Sequence, residues 1–344
     1  MNYLDGIDKL ISQEKIELAT KKLTDIPDNY LKYYYIAEIK RISGLLKDSI
    51  RFYEKSLSAN KNMDKIKYNS LIKLASVHRA LGNIDKAKKI IEEIKKIKNK
   101  NIDAKLEIAM FYRMKGDFKK SIIELKKILL SYRKINDFQG ISYVQWAIAG
   151  IYRLIGDYKN AIEKYKNSIK YAQMAKDKSL KIYSLLGLAG TSRIYGKVID
   201  SYKTYFNARK IIKKDDIFAM AYVHCGMGNA LRQMGEIDKA WKNYKKAYKL
   251  YLKTGDKLEL SLVMWGMGEC YKRRGNIKEA IKIFKRTRKL FKSGFEPRGY
   301  ILNEISISHC LYLMGKIDEA KRIYLNAIKL ADKHSLNTYL EIFT

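Results

Sequence analysis

Proline is almost absent from this 344-residue chain, which has only Pro27 and Pro297. With so few residues that remove a backbone donor and clash with the preceding turn, long helices are permitted throughout. Cysteine is scarce too. Cys225, Cys270 and Cys310 form no CxxC pair and no disulfide framework, and each falls inside a helical pattern. They are expected to be buried free thiols in a reducing compartment. The first residues, MNYLDGIDKL, lack a basic-then-apolar signal, and no apolar run approaches a membrane span. The expected location is therefore cytoplasmic. Acidic residues are in deficit, 36 against 70 lysines and arginines, for a net charge of +34. Ile, Lys, Asn and Tyr are all abundant, and this compositional bias contributes to the surplus. A charge of this size repels cations and attracts polyanions in a salt-dependent way, so nucleic acid, anionic lipid and acidic proteins are the candidate partners.

Catalytic chemistry is also missing. His78, His224, His309 and His334 have no ligand spacing with Cys, Asp or Glu. His224 and Cys225 are adjacent and diverge on a helix. Cys270 and Cys310 share one phase of the pattern described below and are expected to pack as thiols. GMGNA and GMGEC hold close glycines, but within helices rather than after a strand, so the phosphate-loop context fails. No catalytic, cofactor-binding or metal residue is assigned, and the chain is not expected to be an enzyme.

What is present is a glycine that recurs in register: Gly44, Gly82, Gly116, Gly156, Gly196, Gly235, Gly275 and Gly315. The last six are 40, 40, 39, 40 and 40 residues apart. A fixed period of this length marks one supersecondary unit copied along the chain. With the glycine as origin, seven residues earlier stand small residues, from Ala37 and Ala75 to Gly268 and Ser308. Five residues later stand Ser or Ala, and nine later Tyr53, Ile91, Leu125, Tyr165, Tyr205, Tyr244, Phe284 and Tyr324. These offsets describe two amphipathic helices per copy. The first ends at a left-handed glycine cap, and the second begins within three residues, with its small and aromatic residues on one stripe.

GDYKNAIEKYKNSI, GEIDKAWKNYKKAY and GNIKEAIKIFKRTR show the unit in full, and together the eight copies resemble the tetratricopeptide repeat. Two departures stand out. The usual 34-residue period occurs only from Gly82 to Gly116, and the usual helix-ending proline is absent, so the helices are expected to run a turn longer. The 40-residue copies, WGMGECYKRRGNIKEA and CGMGNALRQMGEIDKA above all, look like those of LGN-type adaptors, kinesin light chains and peptide-sensing regulators of the Rap and MalT kinds. The resemblance implies an all-α, right-handed superhelix of about eight helix-turn-helix repeats. Residues 1–29 would form a degenerate N-terminal capping repeat, 30–333 the eight repeats and 334–344 a C-terminal capping helix. Terminal units of a stack are atypical because one face meets water.

The resemblance also implies that the first helix of each pair lines a concave groove. Three residues before the glycine stand Arg41, Arg79, Arg113, Arg153, Arg193 and Arg232, then Lys272 and Tyr312. A lysine-biased chain that places arginine in six consecutive copies shows a preference for the planar, bidentate guanidinium fork. The ladder is open to a second reading, as structural pillars that bond a helix C-terminal carbonyl or an acid of the next unit: Glu38–Arg41 and Glu269–Lys272 are i,i+3 pairs, whereas the other copies lack an acid at that spacing. Tyr143, Trp146, Tyr183, Tyr222 and Trp265 fall on the same face, as does Asn229, while Gly150 and Gly190 leave its middle open. Arginine beside aromatics is the composition of interface anchors. The expected function is a non-enzymatic scaffold or adaptor whose basic groove holds an acidic or carboxylate-bearing segment of a partner protein, with these residues and no cofactor. One alternative is nucleic-acid binding by the same groove, aided by basic runs near residues 91–101 and 271–294. A second is a sensor of a short signalling peptide.

Overall fold

A computed structural model describes residues 3–12, 15–27, 29–98, 100–213, 216–254, 256–293 and 297–334. Among these residues all regular structure is helical. The chain divides into two compact units, Met1–Ser131 and Tyr132–Thr344. The first holds α1 (Tyr3–Ser12), α2 (Ile16–Thr24), α3 (Tyr30–Ile42), α4 (Leu46–Ala59), α5 (Lys65–Ala80), α6 (Ile84–Lys96), α7 (Ile102–Met114) and most of α8 (Phe118–Lys134). The second holds α9 (Phe138–Leu154), α10 (Tyr158–Met174), α11 (Lys178–Ile194), α12 (Val198–Ile211) and α13 (Ile217–Gln233). It continues with α14 (Ile237–Thr254), α15 (Lys257–Arg273), α16 (Ile277–Ser293), α17 (Pro297–Leu313) and α18 (Ile317–Lys333). Each unit is an α-solenoid stack of helical hairpins. No described helix is long and apolar enough to cross a membrane.

The glycine ladder sets the hairpins. All eight glycines have φ between 72° and 84°, a left-handed backbone that costs an L-residue with a Cβ roughly 1–2 kcal/mol. In each copy the glycine N–H donates to the carbonyl three residues back and the next N–H to the carbonyl five back, as Gly156 to Arg153 and Asp157 to Tyr152. This is the Schellman closure, and the second helix starts two residues after every glycine. The far ends of the hairpins start with side-chain caps: Asp137, Asp177 and Asp216 each accept from a backbone N–H of the following first turn. Pro297 opens α17, a position where its missing N–H costs nothing.

Helix length explains the period. In the 34-residue step from Gly82 to Gly116, α6 and α7 have 13 residues each, whereas α9, α10 and α11 have 17. Each added turn lengthens the copy without moving the glycine, as the missing proline predicts.

The small residues five after the glycine are buried in every copy, and Tyr53, Tyr165, Tyr205, Tyr244 and Phe284 fill the space between hairpins. Tyr324, in the same phase, is 37% exposed, because among the described residues no hairpin follows α18 to cover it. At the other end, Ile7, Ala19, Leu23 and Ile26 are buried with Tyr34 and Tyr35 of α3, so α1 and α2 cover the first full hairpin. Of the capping helix expected over 334–344, residues 335–344 lie outside the described residues.

Candidate functional site

In the second unit α9, α11, α13, α15 and α17 contact one another in succession. The first helices of the hairpins therefore share one face, and the arginine phase repeats along it. The structure separates the rungs by what lies beside them.

Three rungs are matched by acids of the fold. Arg41 donates Nε and Nη2 to Glu38 at 3.1 and 2.8 Å. Burial opposes ionisation of Glu38, but the Arg41 fork outweighs it and holds the carboxyl below its ordinary range. Arg79 donates Nε and Nη2 to Glu107 at 2.7 and 3.1 Å. Burial pushes the Glu107 carboxyl up, with Arg79 acting against it. Glu107 comes from the next hairpin, 28 positions on, outside the i,i+3 spacing at which the sequence shows an acid. Lys272 lies 2.8 Å from Glu269, and both are buried. Burial again opposes ionisation of Glu269, and the charges of Lys272 and Arg232 outweigh it. Arg113 is half-buried in the last turn of α7.

The middle rungs differ. Arg153, Arg193 and Arg232 line one cavity of about 140 Å³, together with Asn229, Tyr222, Trp265 and Arg298. Six positions before the glycine, where Glu38 and Glu269 stand at the matched rungs, this region has Gly150, Gly190 and Asn229. A Cβ on Gly190 would meet the Tyr205 hydroxyl at 3.2 Å and Arg153 Nη1 at 3.4 Å, so the missing side chain is the space into which Arg153 leans.

Arg193 and Arg232 are buried, at 5% and 1% exposure, whereas Arg153, Arg298 and Glu259 are half-buried and form the rim. The charge of the buried Glu269 carboxylate reaches Arg232. Arg232 Nε reaches the Tyr244 hydroxyl at 3.4 Å, and its guanidinium carbon stands 5.2 Å from the Trp265 ring centroid. Its Nη1 is buried with no hydrogen-bond partner. A buried donor left unmade costs about 1–3 kcal/mol, more on a charged group, unless something else accepts from it.

The expected aromatics divide as well. Trp265 is buried and donates Nε1 to Ser306 at 2.9 Å, so it serves as a wall held by α17. Tyr222 lines the cavity. Tyr143 and Trp146 stack at 5.6 Å and are half-buried, and Tyr183 packs against the neighbouring core. These three do not line the cavity. Asn229 accepts from the Tyr244 hydroxyl at 2.8 Å, which fixes its amide at the cavity edge.

Besides Gly226, Leu262 and Leu302, four lining residues with ionisable side chains were outside the sequence expectation. Tyr205 was assigned to packing, and its ring does pack, yet it also lines the cavity, where its hydroxyl and the Arg153 guanidinium border the same space beside Gly190. Arg298 sits seventeen before Gly315, one turn beyond the stripe thirteen, ten, six and three before the glycine, and extending that stripe finds it. Glu259 lies off the stripe, and Cys225 stood on it without a role. Burial pushes the Cys225 thiol up to about 12, so it lines the cavity as a neutral group. Among the described residues no cluster of His, Cys, Asp and Glu could hold a metal.

Comparison with known proteins gives the same architecture. Residues 218–293, 68–101 with 305–334, and 147–173 match three families, each described as tetratricopeptide repeat. None of the curated proteins matches the sequence. Among solved structures, a Rap protein complexed with Competence and Sporulation Factor superposes with a TM-score of 0.63 at 11% identity, over 95% of this chain and 94% of that one. The apo form of RapI gives 0.61 at 12% identity, over 88% and 98%. A tetratricopeptide repeat protein from Parabacteroides merdae gives 0.52 at 14% identity, over 76% and 93%.

Proposed function

We propose that this chain, whose matched segments and fold are those of tetratricopeptide repeats, is a non-catalytic scaffold whose second unit holds an acidic segment of a partner protein. The observation that carries this is Arg232. A buried guanidinium with an unmade donor, on a cavity shared with Arg153 and Arg193, is a group prepared for an acceptor from outside the fold. Tyr222, Trp265 and Asn229 supply the apolar wall and the polar contact that orient a chain beside it. The matched rungs Arg41, Arg79 and Lys272 serve the fold, and binding centres on the middle rungs. The likeness to a Rap protein solved with Competence and Sporulation Factor supports a short free peptide as the second ligand class.

Binding of a panel of labelled acidic peptides, with a single-stranded oligonucleotide in parallel, tests this. Arg153→Ala/Arg193→Ala is expected to weaken peptide capture at least tenfold while leaving the helical signal and melting temperature near the parent. Unchanged capture per folded molecule would overturn the proposal. So would oligonucleotide binding that exceeds peptide binding and falls steeply with salt, the signature of counterion release from many phosphates.

A further inference from the structure

The charge of the cavity narrows the anion it takes. Its lining carries Arg153 from α9, Arg193 from α11, Arg232 from α13 and Arg298 from α17, against the single carboxylate of Glu259 from α15. Behind the lining the charge of Glu269 also reaches Arg232, but Lys272 pairs with Glu269 at 2.8 Å and cancels it, so four guanidinium groups against one lining carboxylate leave a surplus of three positive charges. Two of the four are more than nine-tenths buried, and Arg232 Nη1 has no hydrogen-bond partner among the described residues. Excess charge in a partly desolvated site is costly until a counter-charge enters. One carboxylate would leave most of the surplus. A phosphoryl group carries about −1.5 to −2 charges near neutral pH and three acceptor oxygens, enough for forks that converge from several helices.

Resting on the reading that this cavity holds the anionic group of a ligand, we infer that it is a phosphoryl-dianion site. The occupant is a phosphorylated side chain of the bound segment or a free phosphate ion. The phosphodiesters of a nucleic-acid backbone carry one charge each and share the shortfall of a carboxylate.

The dianion leaves a signature in pH. A phosphomonoester dianion takes up a proton near pH 6 and becomes a monoanion, so its affinity for a dianion site falls as the pH drops from about 7.5 to 5. The groups facing the cavity do not imitate this. The four arginines stay charged. Burial raises the Tyr205 hydroxyl and pushes the Cys225 thiol up to about 12, so both stay neutral. Among the described residues no histidine lines the site. Protonation of Glu259 would enlarge the positive surplus and strengthen anion binding, the opposite direction. Tyr222 is the remaining ionisable lining group.

The experiment is calorimetric titration of the full chain, at constant ionic strength, with three probes: inorganic phosphate, an acidic peptide with one phosphoserine, and the same peptide with glutamate in its place. The phosphoserine peptide is expected to bind at least tenfold more tightly than the glutamate peptide at pH 7.5. It should lose about that factor by pH 5, and lose it also in Arg232→Met, which keeps the side-chain volume without the charge. If inorganic phosphate alone matches the phosphopeptide, the dianion chemistry holds and its source is the free ion. Equal, pH-flat binding of both peptides overturns the dianion and leaves the acidic-segment reading standing. No binding of any probe overturns both. The pH series needs only the parent protein, so the result does not depend on how well the variant folds.

Discussion

Gly226→Val is expected to destabilise the second unit by about 3 kcal/mol, at the upper end of the cost of overpacking a filled core. Gly226 lies in the middle of α13, where glycine is otherwise unfavourable by roughly 1 kcal/mol relative to alanine. The structure shows what it accommodates. A Cβ at this position would stand 2.2 Å from Cζ of Tyr205 and 2.5 Å from its Cε1, with the ring 3% exposed and no room to withdraw. The contact is part of a series. Tyr165 lies against Gly187, Tyr244 against Gly266 and Phe291 against Gly299, each within 2.5 Å of the missing Cβ. The aromatic of one hairpin thus seats on a glycine of the next, and the interfaces between hairpins carry the stability of a stack. Gly156→Ala is the control. A Cβ there meets nothing within 4 Å, so only its φ of 83° is strained, at roughly 1–2 kcal/mol. Urea denaturation of both variants checks the order. A Tyr205→Val/Gly226→Val double variant should recover part of the loss, because the ring that clashes is gone.

Gly190→Glu is expected to abolish anion binding while the fold persists, a drop of a hundredfold or more in affinity for any acidic probe. The substitution places an acid six residues before the ladder glycine, where Glu38 and Glu269 already hold Arg41 and Lys272. The atoms nearest the new Cβ would be the Tyr205 hydroxyl at 3.2 Å and the Arg153 guanidinium at 3.4 and 3.5 Å, the latter the far end of a flexible side chain. A carboxylate tethered there competes for the Arg153 and Arg193 forks at high effective concentration. Gly190→Gln, of similar size without the charge, should lose far less. Peptide titration of the two variants beside the parent provides the check. Equal loss in both would mean that steric blockage, not charge, governs the site.

The sequence carried the fold unusually far, for a physical reason. A left-handed glycine, a small residue at the closest helix approach and an aromatic in the gap between hairpins are each required at one position per copy. Every copy therefore repeats the same constraint. The candidate site was legible only in part. Arginine at the groove phase could be counted, but its surroundings could not. The partner of Arg79 is Glu107, brought in by the stacking of the next hairpin rather than by spacing along a helix. Tyr205 serves two sides, its ring on Gly226 and its hydroxyl toward Arg153, and an offset reports only the first. Trp265, placed on the groove face, donates into α17 and becomes a wall. What marks a structural rung is an acid within reach of the arginine or lysine, either six before the glycine, as Glu38 and Glu269, or from the next hairpin, as Glu107. The position six before the glycine was visible as Glu, Gly or Asn, but its meaning comes from the geometry.

The central claim is that an anion occupies the cavity and accepts from Arg232. Diffraction from crystals of the full chain grown with selenate, a dianion with an anomalous signal, tests it most directly. The account predicts an anomalous peak in the cavity, within hydrogen-bond distance of Arg232 Nη1 and of at least one of Arg153, Arg193 and Arg298. Selenate found only on surface lysines, with no peak beside Arg232, would contradict it.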